Sequence, residues 1–103
     1  MISIAGLDKA AVLAALYNNA KIQGHGIRRP GASMPMTVEG ARRVISSASL
    51  IDDPYEYVNG RVLKVDLDGD EMDERYYDRD NGAGKAARVI AHLRETGSVE
   101  EII

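Results

Sequence analysis

No cysteine, phenylalanine or tryptophan occurs among the 103 residues, and proline appears only three times. Without cysteine there can be no disulfide, no thiolate metal site and no thiol nucleophile. Without phenylalanine and tryptophan the core falls to Ala, Val, Ile, Leu and Met, with some of the five tyrosines. Such a core is thin, and a small thin core gains by pairing with a second copy, so a homo-oligomer is expected. Long apolar runs are also missing. None approaches the roughly 18 residues of a membrane helix, and the N-terminus lacks the pattern of a signal peptide. No membrane partner is expected, and the expected location is cytoplasmic.

What is present is ordinary for a folded chain. The apolar content of 45% is that of a globular protein, and the length fits one domain spanning residues 1–103. The net charge of −3 hides an asymmetry. Residues 1–50 carry six Lys or Arg against Asp8 and Glu39, which leaves +4; residues 51–103 carry seven basic against fourteen acidic groups, which leaves −7. The acidic balance argues against duplex nucleic acid as a partner, because that affinity comes mostly from neutralising phosphates.

Met1 to Gly6 reads as a brief strand or an ordered tail. Asp8 is a good cap for a helix running to about Asn19, with Leu7, Ala11, Val12, Ala15, Leu16 and Tyr17 at helical spacing. A long loop is expected over 24–36. Thr37 should cap a second helix, with Glu39 in its first turn, an apolar side of Val38, Ala41, Val44, Ile45 and Ala48, and Arg42 and Arg43 turned outward. Asp52-Asp53-Pro54 suits a single helical turn. Asn59-Gly60 between Tyr55–Val58 and Arg61–Leu67 is a hairpin signal. An acidic connection over 68–75 and a polar loop over 76–84 then lead to a helix from about Ala83 to Glu95. Its core side is Ala86, Val89, Ile90 and Leu93, and Gly97 stops it. The expected fold class is α+β, about three helices packed on a small antiparallel sheet or hairpin.

The stretch Tyr76-Tyr77-Asp78-Arg79-Asp80-Asn81-Gly82-Ala83-Gly84-Lys85 gathers rings, both charges and two glycines before a helix. With Asp80 or Asn81 as cap, the first amides of Ala83, Gly84 and Lys85 would be free donors. Arg79, Lys85 and Arg88 would add positive charge, a combination that suits an anion. Tyr77 offers a ring face, and Gly82 and Gly84 let the backbone approach a ligand. Tyr17, Asn18, Lys21 and Gln23 close the first helix with groups able to read a base or ribose edge, and Arg28 stands in the loop beyond. Together these have the parts a nucleotide-like, phosphate-bearing ligand requires. The plainer alternative is a capped surface helix, Tyr17 and Tyr77 at the core edge, and arginines paired with the acidic run.

Other motifs fail on their residues. Gly84-Lys85 resembles the end of a P-loop, but Arg79 stands at the upstream glycine and Ala86 at the magnesium hydroxyl. Asp66, Asp68 and Asp70 alternate like an EF-hand start, but Glu71 replaces its glycine and Tyr77 its bidentate glutamate. Neither His25 nor His92 has a metal partner at helical spacing, and no serine sits in a nucleophile elbow. No catalytic residue, metal ligand or cofactor is nominated.

The runs Leu16-Tyr17-Asn18-Asn19-Ala20-Lys21-Ile22-Gln23-Gly24, Met36-Thr37-Val38-Glu39, Tyr57-Val58-Asn59-Gly60-Arg61-Val62-Leu63-Lys64-Val65 and Tyr77-Asp78-Arg79-Asp80-Asn81-Gly82 resemble those of small proteins common in phage and prophage genomes. The resemblance implies a viral setting and supplies no chemistry. By analogy of size and habit alone, it suggests a non-enzymatic anti-defence protein, a sponge that sequesters a cyclic nucleotide or ADP-ribose derivative. An inhibitor that binds a host defence protein through its charged faces is the alternative, and a small nucleotide hydrolase a third. The sponge requires free amides after Asn81 and an accessible Tyr77 ring.

Overall fold

The computed structural model describes residues 1–19, 36–47, 67 and 69–99. Within them lie strand β1 (Ile2–Ser3), helix α1 (Lys9–Asn19), helix α2 (Val38–Ser47), strand β2 (Glu71–Met72), helix α3 (Glu74–Asn81) and helix α4 (Lys85–Thr96). This is an α+β arrangement of four described helices with one two-stranded antiparallel sheet. The hairpin expected over 55–67 falls, apart from Leu67, outside the described residues, as do the turn at Asp52-Asp53-Pro54 and the loop before Met36.

Helix α1 is the centre. Asp8 caps it by accepting from the Ala10 amide at 2.9 Å. Its apolar residues were expected on one face, yet Ala10, Val12, Leu13, Ala14, Ala15, Leu16 and Asn19 are all buried. A helix buried on most sides is a core helix, which explains why small alanines fill it. Burying Leu13 and Leu16 contributes about 2 kcal/mol each. Arg42 of α2 pairs with Asp8 at 2.8 Å near the start of α1. Asn18 near the end of α1 holds the approach to α2: its Nδ2 donates to the Met36 carbonyl at 3.1 Å, and the Met36 amide donates back to Oδ1 at 2.7 Å. The two helices therefore lie side by side in opposite directions.

Helix α2 begins as its sequence predicts, with the Gly40 amide donating to Thr37 Oγ1 at 3.0 Å. Ala41 is its fully buried residue; Val38, Val44 and Ile45 pack against the core from the rim, and Arg42 and Arg43 are exposed. Helix α4 buries Ala86, Val89, Ile90 and Leu93, the four residues that its spacing assigns to the core. It ends at Gly97, whose φ of 70° is the left-handed conformation that glycine reaches without strain.

Helix α3 corrects the expected polar loop. Asp73 caps it through the Arg75 amide, and Gly82 closes it by donating to the Asp78 carbonyl. Tyr77 in it is wholly buried. Strand β1 pairs Ile2 with Met72 and Ser3 with Glu71, and the Ile4 amide extends the ladder to the Asp70 carbonyl at 2.7 Å. The N-terminal segment thus lies on the turn that launches α3.

Candidate functional site

The connection from α3 to α4 holds most of the residues expected to meet a ligand. Helix α4 starts at Lys85, two residues later than expected, and neither Asp80 nor Asn81 caps it. Gly84 occupies the cap position with φ 74°, a conformation open to glycine and strained for a side chain. Having no side chain, it cannot cap, and the acceptor comes from the preceding helix. Asp78 Oδ2 accepts from the Gly84 amide at 3.0 Å, and Oδ1 accepts from the Ala86 amide at 2.9 Å. The Lys85 amide donates to the Gly82 carbonyl at 3.1 Å.

The expected anion site is therefore filled from within. A carboxylate is the group such a helix start prefers, and Asp78 is delivered there by the geometry of α3. A phosphate would have to displace a tethered anion that already makes two charge-assisted bonds. Free amides at Ala83, Gly84 and Lys85 were expected; those of Gly84 and Lys85 are occupied.

Tyr77 requires a second correction. Its side chain is fully buried and its hydroxyl donates to the Leu16 carbonyl at 3.0 Å, so its ring cannot stack on a ligand. Burial first, and then the neighbouring Asp78 carboxylate, push the hydroxyl well above the ordinary tyrosine range, which keeps it protonated as a donor. Asn81 is also buried, and its Nδ2 donates to the Tyr77 carbonyl at 2.9 Å one turn back. It belongs to the last turn of α3 and not to a phosphate cradle.

The remaining residues scatter. Tyr17 is half-buried against the core. Asn18 spends both ends of its amide on Met36, which removes it as a reader of a base edge. Arg79 and Arg88 are exposed and Lys85 is half-buried. Lys21, Gln23 and Arg28 lie outside the described residues. What the structure brings together is Tyr77, Asp78, Asn81, Gly82 and Gly84, and it uses them to build the fold.

Asp73 and Asp8 complete the electrostatics. The Arg75 side chain, with Nη2 at 2.5 Å from Asp73 Oδ2, and then the Arg75 amide hold Asp73 down at about 2. The Ala10 amide, and then Arg42, lower Asp8. Among the described residues, no group of three or more His, Asp or Glu could hold a metal ion. No described helix is long and apolar enough to cross a membrane. Sequence reasoning passed over Asp78 as a cap for α4, because its reach to the Gly84 and Ala86 amides depends on the short helix α3 that carries it.

Compared with protein-family models, with curated proteins and with solved structures, the chain matches none.

Proposed function

We propose that the chain is a non-enzymatic binding module that acts on a protein through its charged exterior, in the phage-like setting that its sequence resemblance implies. The observation that carries this reading is the double occupation of the α4 start by Asp78, with Tyr77 sunk beneath it. The groups best suited to a small anion are committed to internal bonds. The exposed cations lie elsewhere: Arg42 and Arg43 on α2, with Arg42 also paired to Asp8 at the surface, and Arg88 on α4. Rim charges of that kind steer and select a macromolecular partner, whereas a small ligand needs a concave, converging site.

The test is capture from host lysate with the tagged chain, followed by native mass spectrometry. A stoichiometric protein partner is expected, lost on charge reversal at Arg42 and Arg43 and kept when Arg79 is replaced by alanine. Thermal stabilisation by cyclic dinucleotides or ADP-ribose derivatives, with no protein captured, would return the sponge to first place and overturn this reading.

A further inference from the structure

Helix α3 ends at Asn81 and is followed by Gly82, a dipeptide with a chemistry of its own in an open chain. The Gly82 amide nitrogen, giving its proton to solvent, attacks the Asn81 side-chain carbonyl carbon. A bond forms from that nitrogen to Cγ, the bond from Cγ to Nδ2 breaks, and ammonia leaves with a proton. Water then opens the cyclic imide at either carbonyl, which leaves aspartate or isoaspartate. Glycine favours the attack because it has no side chain to shield the nitrogen or restrict its approach.

The fold holds both reacting groups. The Gly82 amide is committed to the Asp78 carbonyl at 2.7 Å, the bond that closes α3. The Asn81 side chain is buried, and its Nδ2, the leaving group, donates to the Tyr77 carbonyl at 2.9 Å. The same turn carries Asp78, whose carboxylate ties α3 to α4 through Gly84 and Ala86. Attack requires the Gly82 amide to leave Asp78, which unwinds the turn that aims Asp78 at α4. We propose that Asn81 is a deamidation site gated by the joint between α3 and α4, and that its conversion holds the joint open. A local opening of the turn, short of unfolding, admits the reaction. In the product a carboxylate with no hydrogen to donate faces the Tyr77 carbonyl in the interior, and isoaspartate lengthens the backbone ahead of Gly82, moving its amide off Asp78. The inference does not depend on the partner proposed above.

Incubation of the full chain at mildly alkaline pH, followed by peptide mapping, tests it; mapping separates Asn81 from Asn59, which also precedes a glycine. Asn81 should deamidate far more slowly in the folded wild type than in the same chain unfolded by guanidinium chloride. Asp78→Ala should speed the folded reaction by roughly 5- to 30-fold, the rise in open population expected when a helix cap is lost. Asp8→Ala, which removes the cap of α1 instead, should leave the rate unchanged. Should Asp78→Ala lose its helical circular dichroism, Asp78→Asn carries the test with the same direction. Wild-type molecules converted at Asn81, separated by their added charge, should exchange the Gly84 and Ala86 amides rapidly with solvent. Deamidation as fast in the folded wild type as in denaturant, no acceleration in the folded Asp78 variant, equal acceleration by Asp8→Ala, or slow amide exchange in the converted molecules overturns the proposal.

Discussion

Helices α1 and α4 begin with the same chemistry, a carboxylate accepting from first-turn amides, and reach it by different routes. At α1 the acid is the cap residue itself, Asp8, two positions before the amide it holds. At α4 the cap position is a glycine and the acid comes from another helix, six and eight residues upstream of the amides it serves. The first arrangement is local and forms with the helix. The second exists only when α3 has formed and docked, so the same hydrogen bonds act as a joint between elements. A helix start that looks vacant in sequence can be filled from a distance.

The sharpest way to break that contrast is to remove the remote cap. Asp78→Ala should cost about 2 kcal/mol, the upper end for a helix cap, since two amides lose their acceptor and α3 loses its tie to α4. Chemical denaturation measures it. Tyr77→Phe follows, at about 1–2 kcal/mol, because the Leu16 carbonyl loses the hydroxyl donor that satisfies it in the interior. That variant should also change the alkaline limb. The folded tyrosine holds its proton more tightly than the unfolded one, so its contribution is intact below about pH 10 and fades as pH rises beyond it. Wild-type melting temperature should fall there, and that of Tyr77→Phe should fall less.

Asp8→Ala should cost about 1 kcal/mol, the ordinary value for a local cap. The Arg42 contact adds little because both side chains are largely exposed. The smallest effect lies at acid pH. Asp73 and Asp8 titrate below their unfolded values, so each contributes above about pH 4 and its contribution is lost as pH falls through the folded pKa, about 2 for Asp73. Melting curves from neutral to strongly acid pH should show the decline, flattened in Asp73→Asn.

These contrasts also explain what could be read from the chain. Helices α1, α2 and α4 were legible because each carries its signals within a few residues: Asp8, Thr37 and Gly97 at the ends, and apolar side chains at helical spacing between. Helix α3 was not. Its eight residues include six charged or amide side chains, and among its described side chains Tyr77 and Asn81 are the buried ones, so there was no apolar stripe to count. Its boundary signals were local, Asp73 with Glu74 at the start and Gly82 at the end, but polarity and glycine outweighed them. The candidate site failed with it: once residues 76–81 are read as a loop, Asp78 has no reason to point at Gly84. The pairing of β1 with β2 joins distant parts of the chain and leaves no local mark.

The most direct test of the filled helix start is an NMR titration of the wild-type protein, following the amides of Gly84, Lys85 and Ala86 during addition of pyrophosphate, a cyclic dinucleotide and ADP-ribose. With Asp78 in place these three resonances should stay where they are, and exchange of the Gly84 and Ala86 protons with solvent should be slow until Asp78 is replaced by alanine. A saturable shift of the three in the unaltered protein would contradict the account.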